Sequence, residues 1–147
     1  MKARDIMSSP VITISVHGTV GQAADVMDAR DISCLPITNA DGTLVGIITA
    51  SDFGLHPKMM LMGGHLYTLM GETVTTHDVE ALARQLRGKP VRGLGRQTPI
   101  TVQEDMLVED VMEVMLENKV HHVPVLKGGI LTGIITQHDF LKLYKPD

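Results

Sequence analysis

The stretch that decides the fold reads VGIITASD at residues 45–52 and returns as TGIITQHD at residues 132–139. In both copies an apolar run ends in a threonine, and an aspartate follows three residues later. The two threonines, Thr49 and Thr136, are 87 residues apart, and so are the aspartates, Asp52 and Asp139. A similarity that keeps its spacing in this way predicts an internal repeat.

The similarity extends upstream of these stretches. ISCLPI at residues 32–37 corresponds to VHHVPV at 120–125, and VGQAADVMDARDI corresponds to VEDVMEVMLENKV. We therefore assign residues 1–55 to a first repeat and residues 90–147 to a second. Residues 56–89 belong to neither repeat and form a connecting segment.

Each repeat has the pattern of an α+β unit in the order β-α-β-β-α. Short β-branched runs predict the strands, and Val20, Ala23 and Met27 have helical spacing. Thr19 and Gln22 fit a capping box at the start of that helix. The connecting segment predicts one more helix in THDVEALARQL. Its Met-rich portion before that helix is expected to make core or dimer contacts.

Composition excludes several classes of protein. The chain has 147 residues, 44% of them hydrophobic, and a net charge of −4. This charge argues against general binding to nucleic acid or to an anionic membrane surface, and no apolar run has the length of a membrane span. Cys34 is the only cysteine, which is typical of a reducing compartment. We expect a cytoplasmic protein.

The threonine and aspartate admit two interpretations. Threonine is a good N-cap, and aspartate in the first turn complements the helix dipole. Alternatively, the threonine hydroxyl can donate to a ligand oxygen, while the carboxylate can accept hydrogen bonds from two adjacent ribose hydroxyls. The repetition of the whole frame, with Pro36 and Pro124 upstream and Gly46 and Gly133 inside, favours the ligand.

With these motifs the chain resembles a CBS-domain pair, also called a Bateman module. SCLPI and GTLVGIITASD, and again HHVPV and GILTGIITQHD, carry the family's proline, glycine and Thr-x-x-Asp in order. The resemblance implies two units related by a pseudo-twofold axis, with two clefts between them. It also implies that the clefts take AMP, ADP or ATP, or S-adenosylmethionine, and that two chains form a homodimer.

The resemblance further implies a role for particular residues. The aspartates would hold ribose hydroxyls, and the threonines before them would touch ribose or phosphate. Backbone groups of the first strands would line the base, and residues just before each proline would line the cleft near base or phosphate. The implied nucleotide-binding residues are Thr49, Asp52, Thr136 and Asp139, Thr13 and Thr101 of the first strands, and Ser33, Cys34, His121 and His122 before the prolines.

The two clefts are not expected to be equal. The second repeat has His121 and His122 before its proline, with Lys119 nearby, where the first repeat has Ser33 and Cys34. We therefore expect phosphate to bind more strongly at the cleft of Asp139, and the cleft of Asp52 to take a less charged ligand or none. The histidines also fit a strand end that contacts no ligand.

No nucleophile, base and orienting residue appear together in the sequence, so we do not predict an enzyme. The main hypothesis is a stand-alone regulatory module that binds an adenine nucleotide and signals to an unknown effector protein in trans. The alternative is a structural module for protein interaction or dimerisation, with empty clefts. A weaker hypothesis places a small active site around His56 and His65 of the connecting segment. No metal site is predicted, because the histidines there are scattered.

Overall fold

The fold is given by a computed structural model that describes residues 1–53 and 76–146. The first repeat contains two helices, three strands and a terminal 3-10 helix. They are α1 (Ala3–Ile6), β1 (Ile14–Ser15), α2 (Val20–Arg30), β2 (Cys34–Thr38), β3 (Leu44–Thr49) and the 3-10 helix Ala50–Phe53. Helix α3 (Thr76–Leu86) follows, which confirms the helix expected there. The Met-rich part of the connecting segment, with His56 and His65, lies outside the described residues.

The second repeat follows the same order. Its elements are the 3-10 helix Val91–Gly93, β4 (Val102–Gln103), α4 (Val108–Asn118), β5 (His122–Lys127), β6 (Ile130–Thr136) and the 3-10 helix Gln137–Tyr144. The predicted α+β class is therefore confirmed. Two details differ from expectation: the first strands are only two residues long, and the last helix of each repeat is a 3-10 helix.

Each repeat builds one mixed three-stranded sheet. Strand β1 pairs with β2 in parallel, and β2 pairs with β3 in an antiparallel hairpin, with Cys34 opposite Thr49. The second sheet repeats this arrangement in β4, β5 and β6, with His122 opposite Thr136. In each hairpin the second strand therefore ends in a threonine that is paired with the residue two places before the proline.

The helices between the first and second strands begin differently and end alike. The backbone N–H of Gln22 donates to the Thr19 hydroxyl over 3.2 Å, and the backbone N–H of Thr19 donates to the Gln22 side chain over 3.0 Å. This confirms the predicted capping box, whereas Leu107, at the N-cap position of α4, provides no side-chain cap. Both helices end at a left-handed residue, Asp31 (φ 51°) and Lys119 (φ 53°).

The segments that lead into the two repeats are exchanged between the halves. The backbone N–H of Ala3 donates to the Met106 carbonyl over 2.8 Å, and Ser8 and Ile134 exchange two backbone hydrogen bonds. In the same way Arg96 and Ile47 exchange two. We call residues 1–9 and 88–97 the leading segments. Residues 1–9 pack against the second repeat, and residues 88–97 pack against the first.

The cores follow this exchange. Val91 and Leu94 are fully buried in the core of the first half, with Leu35, Ile48 and Leu86. Ala3 and Ile6 are fully buried in the core of the second half. The predicted bounds of 1–55, 56–89 and 90–147 describe the sequence repeat and stay a prediction as domains, but each core draws residues from both sides of those bounds.

Candidate functional site

The two Thr-x-x-Asp stretches have the same local geometry. The backbone N–H of Thr49 donates to Asp52 Oδ2 over 2.8 Å, and the backbone N–H of Thr136 donates to Asp139 Oδ2 over 2.8 Å. The capping interpretation is therefore correct at backbone level, since each carboxylate closes the first turn of its 3-10 helix. Within the described ranges these aspartates are the only charged side chains that are buried, at 9% and 5% exposure.

The larger of two clefts between the halves opens beside Thr49 and Asp52. Its volume is about 540 Å³, within the range usual for small-molecule sites. Both repeats contribute to its walls. The polar side chains that line it are Ser33, Thr49, Ser51, Asp52, Arg96, Lys119, His121 and His122, and Ile47, Pro99, Ile100 and Val120 are among its apolar ones.

The smaller cleft is related to the first by the internal repeat. Its volume is about 290 Å³, and its walls again come from both repeats. The residues that line it are Ser8, Pro10, Val11, Ile12, Asp31, Ile32, Ser33, Cys34, Ile134 and Thr136. Asp139 is not among them. Its carboxylate accepts hydrogen bonds from the backbone N–H of Thr136 and from the Ser8 hydroxyl, two residues that do line the cleft.

This arrangement overturns the predicted pairing of residues within a cleft. We expected His121 and His122 to share a cleft with Asp139, and they share one with Asp52 instead. Each cleft combines the Thr-x-x-Asp stretch of one repeat with the residues before the proline of the other. The starts of β2 and β5 meet between the clefts, where the Ser33 hydroxyl lies 3.0 Å from His122 Nε2. The basis for ranking the Asp139 cleft first is therefore wrong.

The segments just before β1 and β4 contribute apolar side chains instead of their threonines. Ile12 lines the smaller cleft and Ile100 the larger one. The neighbouring Thr13 is exposed and Thr101 is half-buried, and neither side chain lines a cleft. A contact between their backbone groups and a base stays a prediction.

The environments of Cys34 and His122 differ in their effect on protonation. Burial, with a smaller contribution from the Asp52 carboxylate, raises the pKa of the Cys34 thiol to about 12. The thiol therefore stays protonated at neutral pH. Burial, together with the neighbouring His121, holds the pKa of His122 below its ordinary value. Unliganded His122 is therefore mainly neutral at pH 7.

Three contacts around Asp139 were not anticipated from the sequence. Lys142 Nζ lies 3.1 Å from Asp139 Oδ1, and the same ammonium donates to the Ile6 carbonyl over 2.6 Å. The Ser8 hydroxyl donates to Asp139 Oδ1 over 3.4 Å. Asp139 and Lys142 thus bind the leading segment to the last 3-10 helix.

Arg96 of the larger cleft was also missed, although its repeat-related counterpart, Ser8, could have indicated that position.

The fold and the clefts define the class of protein: two α+β units face each other across a pseudo-twofold axis, with a Thr-x-x-Asp stretch at each cleft. The sequence pattern of the CBS domain matches residues 3–53 and 91–146. The chain belongs to the CBS domain family, and it carries the domain twice.

Comparison with individual proteins agrees with this assignment. An uncharacterized protein of Methanocaldococcus jannaschii, MJ1404, is 32% identical over 144 residues, which are 96% of this chain and 31% of that protein. The chain thus spans about a third of that relative. The crystal structure of Hypoxic Response Protein I with two coordinated zinc ions is 26% identical, with a TM-score of 0.70 over 97% of this chain and 98% of that one.

A second solved structure is the CBS domain pair of protein MJ0100 in complex with 5′-methylthioadenosine and S-adenosyl-L-methionine. It is 27% identical, with a TM-score of 0.70 over 98% of this chain and 95% of that one. Within residues 1–53 and 76–146 there is no group of three or more histidine, cysteine or acidic side chains placed to hold a metal ion. No helix in those ranges is long and apolar enough to cross a bilayer.

Proposed function

We propose that this chain is a regulatory module that binds an adenine nucleotide, or S-adenosylmethionine, in a cleft between its repeats and signals to a partner protein in trans. The observation that carries the proposal is the larger cleft. There the Asp52 carboxylate, an acceptor suited to ribose hydroxyls, shares one cavity of about 540 Å³ with Arg96, Lys119 and two histidines. Cationic donors and a carboxylate in one cavity match the two ends of a nucleotide.

The family assignment supports the ligand class. The complex of MJ0100 with 5′-methylthioadenosine and S-adenosyl-L-methionine contains two adenine compounds. In this chain the walls next to the polar groups are apolar, from Ile47, Pro99 and Ile100. Such walls suit an adenine ring, which needs little more than a flat apolar surface and a few backbone hydrogen bonds.

The regulatory output requires a surface outside the clefts. On α4 the side chains of Met112 and Leu116 are 41% and 77% exposed. Exposed apolar side chains on one helix are typical of a protein interface. We include homodimer formation and binding of an effector protein in the proposal, with ligand binding changing the affinity for one of them. Neither step requires catalysis by this chain.

Thermal unfolding with a ligand panel tests the proposal. The panel is AMP, ADP, ATP, S-adenosylmethionine and NADH, with a sample that contains no ligand. A ligand at 100 times its dissociation constant should stabilise the folded state by about 2.7 kcal/mol. We expect at least one adenine compound to raise the melting temperature, and Asp52→Ala to abolish the rise. Lys127→Gln, at the far end of β5, is the control.

A flat panel would contradict the proposal and favour the alternative, a module for protein interaction with empty clefts. The exposed apolar side chains of α4 are the observation that supports this alternative. It predicts that Leu116→Glu changes the oligomeric state in sedimentation experiments, whereas ligands and cleft substitutions do not change it.

A further inference from the structure

We propose that only the larger cleft takes a phosphorylated ligand, so that one chain binds one nucleotide, and that Arg96 and Lys119 select it. The inference rests on the proposed function. It adds that the ligand is phosphorylated, which of the two clefts binds it, and how many ligand molecules one chain binds. We compare positions that are equivalent in the two repeats but have different side chains.

The first difference is a reversal of charge at one backbone position. Lys119 ends α4 and lines the larger cleft, and Asp31 ends α2 and lines the smaller cleft. Both residues have the same left-handed backbone, with φ of 53° and 51°, so their side chains leave equivalent points. An ammonium therefore borders the larger cleft where a carboxylate borders the smaller one. A phosphate is attracted by the first and repelled by the second.

The second difference lies in the leading segments. Arg96 lines the larger cleft, and its counterpart in the smaller cleft is Ser8. Arg96 is held by its backbone, which exchanges hydrogen bonds of 2.8 and 3.1 Å with Ile47. Arg96 is an exposed residue, and a guanidinium offers the fork of donors that fits phosphate oxygens. The smaller cleft has only a hydroxyl at that position.

The third difference concerns the carboxylate that would hold a ribose. Asp52 lines the larger cleft, whereas Asp139 does not line the smaller one. Asp139 Oδ1 instead lies 3.1 Å from Lys142 Nζ and accepts a hydrogen bond from Ser8 over 3.4 Å. Asp139 therefore joins the leading segment to the last 3-10 helix. We infer that its role is structural and that the smaller cleft does not bind a nucleotide.

Isothermal titration calorimetry tests the inference with three probes: ADP, uncharged 5′-methylthioadenosine and inorganic pyrophosphate. We expect one ADP per chain. Arg96→Gln and Lys119→Asn should each weaken ADP binding by at least about tenfold, because each removes a charge-assisted contact. The affinity for 5′-methylthioadenosine should change by less than about twofold, because that ligand has no phosphate for either residue to contact.

Asp31→Asn is the matched variant, since it places the same side chain at the equivalent left-handed position of the smaller cleft. It should leave ADP affinity within about twofold, as should Lys127→Gln, which removes a lysine that lines neither cleft. Two ADP molecules per chain, or ADP binding that survives Arg96→Gln and Lys119→Asn, would overturn the inference while leaving the proposed function intact.

Pyrophosphate separates the remaining outcomes. If ADP does not bind but pyrophosphate binds and is lost in Arg96→Gln, the larger cleft is a phosphate site and the proposed adenine ligand is wrong. If neither ADP nor pyrophosphate binds the folded wild-type chain, the inference is overturned. Circular dichroism of each variant confirms that a loss of binding is not a loss of fold.

Discussion

The two clefts of this chain share one backbone frame but differ in chemistry. Each lies beside a hairpin strand that ends in threonine, and in each the aspartate three residues later accepts the backbone N–H of that threonine over 2.8 Å. Yet the larger cleft is lined by Arg96, Lys119 and two histidines, and the smaller one by two serines, an aspartate and a buried thiol at the corresponding places. The repeat thus preserves geometry without preserving charge.

The difference shows which positions the fold constrains. Buried residues such as Ile48 and Ile135 are fully enclosed, and a change of size there opens a cavity or forces a clash. Side chains that line a cleft have a solvent-filled space in front of them, so the core does not restrict their size or charge. Two copies of one unit can therefore acquire two functions, or one function and one structural role, without a change of fold.

Chemical reactivity should give the largest difference between the clefts. The pKa of Cys34, raised from 9.0 to about 12, lowers its thiolate fraction at pH 8 about 1000-fold, and the thiolate is the reactive form. We expect the folded wild-type chain to react with iodoacetamide far more slowly than an ordinary thiol. The time course of alkylation, followed by mass spectrometry, measures this rate.

The matched variant moves the thiol into the other cleft. In Cys34→Ser/His122→Cys the new thiol occupies the equivalent position of β5, in the cavity that Arg96 and Lys119 line. His122 is only half-buried whereas Cys34 is buried, so the thiol of this variant is more accessible and should react faster than that of the wild type. Equal rates in both folded proteins would show that the two positions do not differ in the way described.

Substitution of a glycine should give the next largest difference. A Cβ added at Gly46 would lie 2.8 Å from the carbonyl oxygen of Arg96, a backbone atom fixed by its pairing with Ile47. We expect Gly46→Ala to lower the free energy of unfolding by about 1–3 kcal/mol, as overpacking does elsewhere. Urea denaturation at pH 7 measures the loss.

Gly133→Ala is the matched control in the second repeat. There the new Cβ would meet the Met7 side chain, which has several rotatable bonds and can move aside. Its effect should therefore be the smaller of the two. A larger loss in Gly133→Ala than in Gly46→Ala would show that the segment carrying Arg96 is the more deformable one, and that Arg96 is not held in place as proposed.

The repeat, the α+β class and the order of elements could be predicted from the sequence because local patterns encode them. The Thr19–Gln22 capping box has the expected hydrogen bonds. The hairpins end where the Gly-Ile-Ile-Thr runs end. Gly46 and Gly133 are both crowded, Gly46 by the backbone of Arg96 and Gly133 by the Met7 side chain.

The exchange of leading segments and the pairing of residues across clefts could not be predicted in the same way. Similarity between repeats relates Ser8 to Arg96, but it does not say which half each one packs against. The local contacts are equivalent whether a leading segment packs on its own repeat or on the other. The expectation that His122 lines the cleft of Asp139 was wrong for this reason. His122 pairs with Thr136 in one sheet, but His122 lines the larger cleft and Thr136 the smaller one.

The smallest expected effect is a pH dependence present in one cleft only. The pKa of His122 is held below its ordinary value of 6.5 by burial and by His121. In the window just below pH 6.5 the unfolded chain therefore binds more protons than the folded one, so this residue makes stability fall as the pH falls. His122→Gln, which keeps a partner for Ser33, should lose less stability between pH 7 and 5.5 than the wild type does in urea denaturation.

The binding of a phosphorylated ligand should depend on pH in the opposite direction. Its negative charge favours the protonated imidazole, so binding should take up protons and tighten as the pH falls through the same window. Calorimetry with ADP in buffers of different ionisation enthalpy measures that uptake, which His122→Gln should reduce. Cys34, the counterpart of His122, has a pKa of about 12 and cannot supply such a proton change at neutral pH. Proton uptake that persists in His122→Gln would assign it to another group and remove His122 from the phosphate contacts.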